Sequence, residues 1–272
     1  MADQSEADSL YDLVVDAAPT AFRAERGISG ARFGGGALTA MRNDPTKYWS
    51  KAVGFGHDEP LTADLVDEIR AFYRAERVAS TNLYVAPQAL PADWETIRAE
   101  RGIAEAETWV KLAGDVDTVL ARFDDPATPR PTLKVETVRP QDIARWGALR
   151  DRVFGLPEEL APVIDAVVGR DRWEAFALRD GEEIVGGAIV FLGVETAHCY
   201  AGFTAPEARG RGGQTALFAA RAEAAKAAGC RWLVTETGAE GPGEHNTSLR
   251  NMRRLGFKVV YERRNWVLPS GL

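Results

Sequence analysis

The fold is decided by the stretch that runs from residue 204 to residue 217, TAPEARGRGGQTAL. Pro206 stops a strand-like segment, and an alanine-rich helical pattern begins after the glycines. A strand that enters a glycine-rich turn and then a helix directs several backbone N–H groups, and the positive end of the helix dipole, at one point in space. That point suits a phosphate, and Arg209 and Arg211 add two cationic side chains. We therefore predict an anion-binding turn; a plain flexible strand-to-helix turn is the alternative.

The patterns on either side of this turn predict a second domain at residues 132–272 with the order βααβββαβαββ. Its predicted strands are 133–138, 173–178, 184–192, 194–203, 231–237, 257–262 and 265–268, and its predicted helices are 141–154, 158–168, 213–228 and 246–255. The helix after the turn has an inward stripe of Leu217, the aliphatic stem of Arg221, and alanines, and it ends at Gly229. The expected class is α+β, a three-layer arrangement of a mixed, mostly antiparallel sheet flanked by helices.

The first half repeats part of this order of strands and helices, with weaker sequence patterns. It reads as a strand at 48–55, a helix at 62–77 capped by Thr62, a strand at 81–85, a helix at 92–101 and a strand at 107–112. We predict a domain at residues 1–124 that is a degenerate copy of the second, joined by a proline-rich linker at 125–131; an unrelated α+β domain is the alternative. In place of the glycine-rich turn stands GFGHDE at 54–59, whose two acids would repel a phosphate. Only the second half is expected to bind the anion.

Composition narrows the class of function. The net charge of −7 and the sequence pI near 5.2 argue against a large basic surface for nucleic acid or membranes, so nucleic acid is not an expected partner. Cys199 and Cys230 have no paired spacing and are expected to be buried free thiols, which suits a reducing, cytoplasmic location. The cysteines and three histidines show no metal-ligand spacing, and we predict no metal. Neither a GxSxG nor a GKS/T motif is present.

The stretch at 204–217 resembles the acetyl-CoA-binding motif of GNAT acyltransferases, a proline followed by RGxGxxxxL. A second family motif, a helix that starts near Asn and ends in Gly-Phe, is similar to residues 246–257. The resemblance covers about half of the chain and implies a GNAT fold there, with acetyl-CoA or another acyl-CoA as co-substrate. It implies that the pantetheine arm lies between the backbone of Gly202, Phe203 and Thr204 and the side chains of Asn246 and Ser248. It implies that the pyrophosphate lies on Arg209, Gly210, Arg211, Gly212, Gly213, Gln214 and Thr215.

Two residues depart from the family pattern. Gln214 stands where relatives have Gly or Ala, so its side chain must point away from the donor or contact it, and the donor need not be plain acetyl-CoA. Met252 stands where many relatives have a tyrosine that protonates the leaving thiolate. That role is left to Tyr200, to Tyr261 or to water.

The reaction that the resemblance implies needs a base, because a primary amine has a pKa near about 10.4 and attacks only when deprotonated. Glu236 lies late in a strand, on the face that carries Trp232 and Val234, and is our candidate base. The alternative is a solvent-facing acid or a pair with Arg250. A strand N–H of Phe203 or Thr204 is expected to stabilise the oxyanion. His198 and Cys199 face opposite ways and cannot form a nucleophile–base pair.

The sequence therefore predicts an N-acyltransferase, most simply an N-acetyltransferase, that acts on a small-molecule or protein amine. Glu158, Glu159 and Asp165 on the second helix favour a cationic acceptor, unless they form only a solvated face. Two alternatives stay open: a tandem-fold transferase that takes its acyl group from aminoacyl-tRNA, and a non-catalytic acyl-CoA-binding regulatory module. The sequence does not identify the oligomeric state.

Overall fold

The computed structural model describes residues 2–128 and 130–272, which form two compact units. The first unit comprises residues 2–110 and Tyr261–Leu272, and the second comprises Lys111–Val260. Each unit is a sheet with helices packed on it, so the α+β class is confirmed. The division differs from the predicted one at 124 and 132, because the chain passes between units within two long strands and not at the proline-rich segment. Of that segment, Pro129 lies outside the described residues.

The first unit contains four strands of its own and the ends of two others. Its strands are β1 (Ile28–Phe33), β2 (Gly36–Met41), β3 (Lys51–Val53), β4 (Ser80–Tyr84) and the start of β5 (Ala104–Asp115); its helices are α1 (Ala2–Tyr11), α2 (Thr20–Arg26), α3 (Ala63–Ala75) and α4 (Trp94–Arg101). The pairs β1–β2 and β2–β3 are antiparallel, and β3–β4 is parallel. The core lies where α3 and α4 cover the sheet, around Tyr73, Trp94 and Trp266.

The second unit repeats this succession. Its elements are α5 (Val116–Asp124), β6 (Lys134–Thr137), α6 (Ile143–Phe154), α7 (Ala161–Asp165), β7 (Trp173–Asp180), β8 (Glu183–Leu192), β9 (Thr196–Thr204), α8 (Gly213–Ala227), β10 (Trp232–Gly238), α9 (Thr247–Arg254) and the start of β11 (Lys258–Pro269). The pairs from β6 to β9 are antiparallel, and β9–β10 is parallel. The segment β3–α3–β4 thus matches β9–α8–β10, which is the repeat that the sequence predicts.

The last strand differs from the prediction of two strands, since β11 runs without a break through the basic residues at 263 and 264. Arg263 is buried and pairs with Glu6, its Nη1 lying 2.9 Å from the carboxylate Oε2. Arg264 pairs with Glu105 of β5. Because each cation has a carboxylate partner, neither charge requires the strand to turn out into solvent.

The packing of α6 against β8 gives a direct test of the second unit. A Cβ added to Gly187 would lie 2.1 Å from Nε1 of Trp146, a fully buried side chain that donates to the carbonyl of Phe176 at 3.0 Å. Gly187→Ala is therefore expected to displace the indole and to lower the free energy of unfolding by about 1–3 kcal/mol. Urea unfolding checks this. Gly238→Ala, where an added Cβ meets no atom within 4 Å, should change stability little; equal losses in both variants would contradict the packing argument.

Candidate active site

Strand β9 carries a bulge on the side that faces β8. Tyr200 lies opposite Ile189 and Phe203 lies opposite Gly187, so three steps on β9 match two on β8. Ala201 takes up the extra residue with a φ of 44°, in the left-handed region that a side chain rarely adopts. The bulge changes the direction in which the residues after it point. Gly202 is exposed although it lies in the middle of the unit's sheet.

A gap opens on the other side of β9. The parallel pairing with β10 covers only three positions, from Thr196 opposite Trp232 to His198 opposite Val234. Both strands continue beyond it, β9 to Thr204 and β10 to Gly238. The backbone groups that face each other there have no ladder partner on the opposing strand. Unpaired N–H and C=O groups of this kind can bind an extended, amide-containing ligand in the manner of an added strand.

Helix α8 begins at the end of this gap without a side-chain cap, in contrast with α3, α5 and α9, which Thr62, Asp115 and Asn246 cap. Its first intrahelical hydrogen bond runs from the N–H of residue 216 to the carbonyl of Gly212. The N–H groups of residues 213–215 are therefore left for an external acceptor. Gly210 and Gly212 have φ values of 76° and 77°, which only glycine adopts without strain.

The two arginines of the loop have different roles. Arg211 forms a bidentate salt bridge with Asp180, in which Nη1 and Nη2 lie 2.5 and 3.0 Å from the two carboxylate oxygens. These hydrogen bonds hold the pKa of Asp180 below the ordinary value. This pair fastens the loop to the end of β7. Arg209 is exposed, and the structure shows only a weak hydrogen bond from its Nε to the carbonyl of Thr204, at 3.3 Å. Arg209 thus keeps its guanidinium available to an anion.

Gln214 points away from the loop toward α9. Its Oε1 accepts a hydrogen bond of 2.7 Å from Nδ2 of Asn251, whose own Oδ1 accepts from Arg254 at 3.0 Å. Of the two orientations that the sequence leaves open, the structure has the one in which the side chain joins α8 to α9. The same helix buries Met252, whose thioether has no proton to give to a leaving group.

Asn246 fastens the start of α9 to the end of β10. Its Oδ1 accepts from the N–H of Leu249 at 3.0 Å, and its Nδ2 donates to Oγ1 of Thr237 at 2.9 Å and to the carbonyl of Gly238 at 2.8 Å. The predicted neighbour Ser248 is the second residue of the helix and is half-buried. The cap therefore positions the far wall of the gap.

We expect Asn246→Ala to lower the free energy of unfolding by about 1–2 kcal/mol, because it removes the cap and leaves its partners unsatisfied. Asn246→Asp is the matched control, since it keeps the acceptor for the cap and loses only the two donated bonds. Urea unfolding should rank the alanine variant below the aspartate variant. The reverse order would show that the donated bonds, and not the cap, hold this helix.

Glu236 lies in β10 with its side chain 12% exposed, and it pairs with a buried lysine. Nζ of Lys111, on the neighbouring strand β5, lies 3.1 Å from its Oε2, and the lysine side chain is only 1% exposed. The partner is thus Lys111 and not Arg250, which the sequence offered as the alternative. This carboxylate is therefore largely buried and forms an ion pair with a cation that is itself buried.

Tyr200 lies just before the bulge and is half-buried. Its ring stacks on that of His198, with centroids 4.2 Å apart, and is 6.1 Å from that of Trp173. Tyr261, the other predicted proton donor, lies in the first unit and donates a hydrogen bond from its hydroxyl to the carboxylate of Asp3. Burial raises the pKa of Tyr261 above the ordinary value. Of the two tyrosines, Tyr200 is the one that lies on a strand of the gap.

The acidic residues predicted for the acceptor differ in their surroundings. Asp165 forms an ion pair with Arg150, whose Nη1 lies 2.6 Å from its Oδ1. Glu158 and Glu159 are exposed. The predicted helix at 158–168 is shorter than expected: it is a 3-10 turn at Glu158–Leu160 followed by α7.

Arg221 lies deeper than the sequence predicts. The pattern places only the aliphatic stem of this residue on the inner face of α8, but the whole side chain is 2% exposed. Its Nε donates to the carbonyl of Leu217 at 3.0 Å, and its guanidinium stacks 4.1 Å from the centroid of Phe218. The only available signal was an arginine four residues after Leu217 on a face otherwise made of small or apolar residues.

Other kinds of site receive no support from the part of the chain that the structure describes. Over residues 2–128 and 130–272, no three His, Cys, Asp or Glu side chains are grouped so as to hold a metal ion. Among the described helices, none has both the length and the apolar composition that a membrane span requires. Cys199 and Cys230 are buried free thiols, as predicted, and burial raises the pKa of each.

Comparison with known proteins agrees with this geometry. Residues 109–241 match the family described as acetyltransferase (GNAT) domain. The fold is similar to a GCN5-related N-acetyltransferase from Kribbella flavida, with a TM-score of 0.65 at 16% identity over 99% of this chain and 96% of that one. It is also similar to a tandem GNAT protein from the clavulanic acid biosynthesis pathway, with a TM-score of 0.61 at 16% identity over 100% of this chain and 95% of that one. At these identities the likeness shows the fold, here a tandem one. No curated protein matches the chain in sequence.

Proposed function

We propose that the chain, whose residues 109–241 match the acetyltransferase (GNAT) domain family, is an N-acyltransferase that moves an acyl group from acyl-CoA to an amine by direct attack. The observation that carries this proposal is the uncapped start of α8 at the open end of the gap between β9 and β10. The helix start suits the pyrophosphate of the donor, and the unpaired strand edges suit its amide-containing pantetheine arm.

The donor site follows from these contacts. The N–H groups of Gly213, Gln214 and Thr215 would take the pyrophosphate oxygens, with Arg209 as the available cation. Gly210 and Gly212 supply the left-handed turn, and Arg211 holds that turn through Asp180. The backbone of Gly202, Phe203 and Thr204 would pair with the pantetheine on one side of the gap. Asn246 and Ser248 lie at the other side, where the cap on α9 fixes the wall.

The reaction needs one bond formed and one broken at the thioester carbon. The amine nitrogen attacks this carbon, the tetrahedral oxyanion is stabilised by a strand N–H of Phe203 or Thr204, and the C–S bond then breaks to release the CoA thiolate. Glu236 takes the proton that the ammonium must lose, and its burial in the unit gives it the position for this role. Tyr200 returns a proton to the thiolate sulfur, and the second proton of the amine nitrogen, which is lost as the amide forms, restores the phenol. The product is an amide and CoA.

The first unit has the corresponding β3–α3–β4 segment but not the anion site. Thr62 caps α3, its Oγ1 accepting from the N–H of Leu65 at 3.2 Å. The exposed acids Asp58 and Glu59 precede it. Because the helix start is already satisfied and the approach is negative, this unit supports the proposal that only the second unit takes the donor.

Isothermal titration of the full chain with CoA and with acetyl-CoA tests the proposal. We expect saturable binding at one site per chain, followed by thiol release when donor and a panel of amines are supplied together. Binding without thiol release across the panel would favour a regulatory module. An absence of binding at millimolar donor would overturn the proposal. It would leave the hypothesis of a transferase that takes its acyl group from aminoacyl-tRNA, which the acidic composition disfavours.

A further inference from the structure

Arg221 lies two turns into α8, and its cationic group is out of water. The residue is 2% exposed, and burial lowers the pKa of its guanidinium from the ordinary value. Its contacts within the described residues are the carbonyl of Leu217, the ring of Phe218 and the neutral thiol of Cys199. None of these carries a negative charge. The other buried arginines, Arg150, Arg179 and Arg263, each pair with at least one carboxylate.

A buried charge without a counter-charge is costly, and proteins normally pair it. A fold that had no use for the cation would be expected to carry an apolar side chain of similar length, which is often neutral or stabilising at such positions. The remaining hydrogen-bonding capacity of Arg221 is that of its two terminal nitrogens, a planar fork that matches a carboxylate.

The two terminal nitrogens of Arg221 lie close to Gly202, on the strand that borders the gap. Nη1 and Nη2 lie 3.9 and 3.8 Å from the point where a Cβ of Gly202 would stand. Because residue 202 has no side chain, no side chain at this position of β9 stands between the guanidinium and the open edge of the strand. Along α8, residue 221 lies about 12 Å from the helix start at Gly213. This separation places the guanidinium away from the pyrophosphate and toward the acyl end of the donor.

We infer that Arg221 binds a carboxylate at the end of the donor's acyl group, so that the preferred donor is the CoA thioester of a dicarboxylic acid and not acetyl-CoA. The inference rests on the proposed function, since it concerns the same gap. The thioester carbon remains the point of attack, and the distal carboxylate completes the ion pair that the protein leaves unmade.

The test compares donors with and without a distal carboxylate, and butyryl-CoA matches succinyl-CoA in chain length. Isothermal titration with succinyl-CoA, glutaryl-CoA and butyryl-CoA should show that the wild-type protein binds a dicarboxylic thioester roughly ten- to hundred-fold more tightly than the butyryl one. Arg221→Met should abolish this preference while leaving the affinity for CoA itself unchanged. Arg221→Lys, which keeps the charge without the fork, should retain part of it. Arg231→Met is the matched control, because Arg231 is exposed at the start of β10, and it should keep the full preference.

Each result decides the matter. Equal binding of butyryl-CoA and both dicarboxylic thioesters by the wild type, or a preference that survives in Arg221→Met, would overturn the assignment while leaving acyl-CoA binding intact. An absence of CoA binding by the wild type would overturn the proposed function and the assignment with it. The thermal midpoint of the unliganded protein gives a second readout: Arg221→Met should be at least as stable as the wild type, whereas a marked loss would identify Arg221 as a structural residue.

Discussion

Glu236→Gln is expected to lower kcat by about 10²–10⁴ while the Kd for CoA stays within about two-fold of the wild-type value. The amide has nearly the shape of the carboxylate but cannot accept a proton from the substrate ammonium. The defect should shrink as the assay pH approaches about 10.4, where a primary amine loses its proton to water without help. Steady-state kinetics over this pH range, together with isothermal titration, provide the check.

The ion pair with Lys111 requires a control in this experiment. Removing the carboxylate leaves a 1%-exposed ammonium without its partner, and breaking a buried pair costs about 3–5 kcal/mol. The double variant Glu236→Gln/Lys111→Met removes the stranded charge and should recover most of the lost stability. If kcat stays low in the double variant, the loss of turnover is due to the missing proton acceptor and not to the loss of stability.

Glu223→Gln, at an exposed carboxylate on α8, controls for the change of net charge and should leave kcat unaltered. Wild-type turnover in Glu236→Gln would assign the proton transfer to another group. Recovery of turnover in the double variant would show that the carboxylate matters only as the partner of Lys111.

Local chemistry allowed several elements of the fold to be predicted from the sequence. Thr62 caps α3 as expected, a helix follows Asn246, and Gly229 follows the end of α8. These features depend on residues within one turn of each other, so a linear pattern contains them. The hairpin of β1 and β2 is not predicted, because β2 is buried along its whole length and has no alternation to detect.

The site was less predictable, because its decisive contacts join residues that are far apart in the chain. The pairs Gln214–Asn251, Arg211–Asp180 and Lys111–Glu236 span 37, 31 and 125 residues. A single sequence holds no record of such pairings. The turn at 209–214 can be found from its glycines, but which of its cations is already occupied cannot.

Gly212→Asp is expected to weaken CoA binding by at least about a hundred-fold and to lower stability through the strained φ at this position. Residue 212 precedes α8 with a φ of 77°, a conformation that aspartate tolerates better than most residues, and an added Cβ would lie 3.0 Å from Cα of Pro131. The new carboxylate would stand at the uncapped helix start, where it can accept from the N–H groups that the pyrophosphate needs and repel the pyrophosphate's charge.

The matched control for this variant is Gly169→Asp. Gly169 also has a positive φ, 78°, and an added Cβ there meets no atom within 4 Å. The two variants have the same change of charge and both place a side chain at a positive φ, so a difference between them in isothermal titration measures the effect of the new carboxylate and of its contact with Pro131 at the helix start. CoA binding retained by Gly212→Asp would refute the placement of the pyrophosphate at α8. Because the gap between β9 and β10 does not depend on this residue, that result would still leave the strand edges as the place to search for the donor.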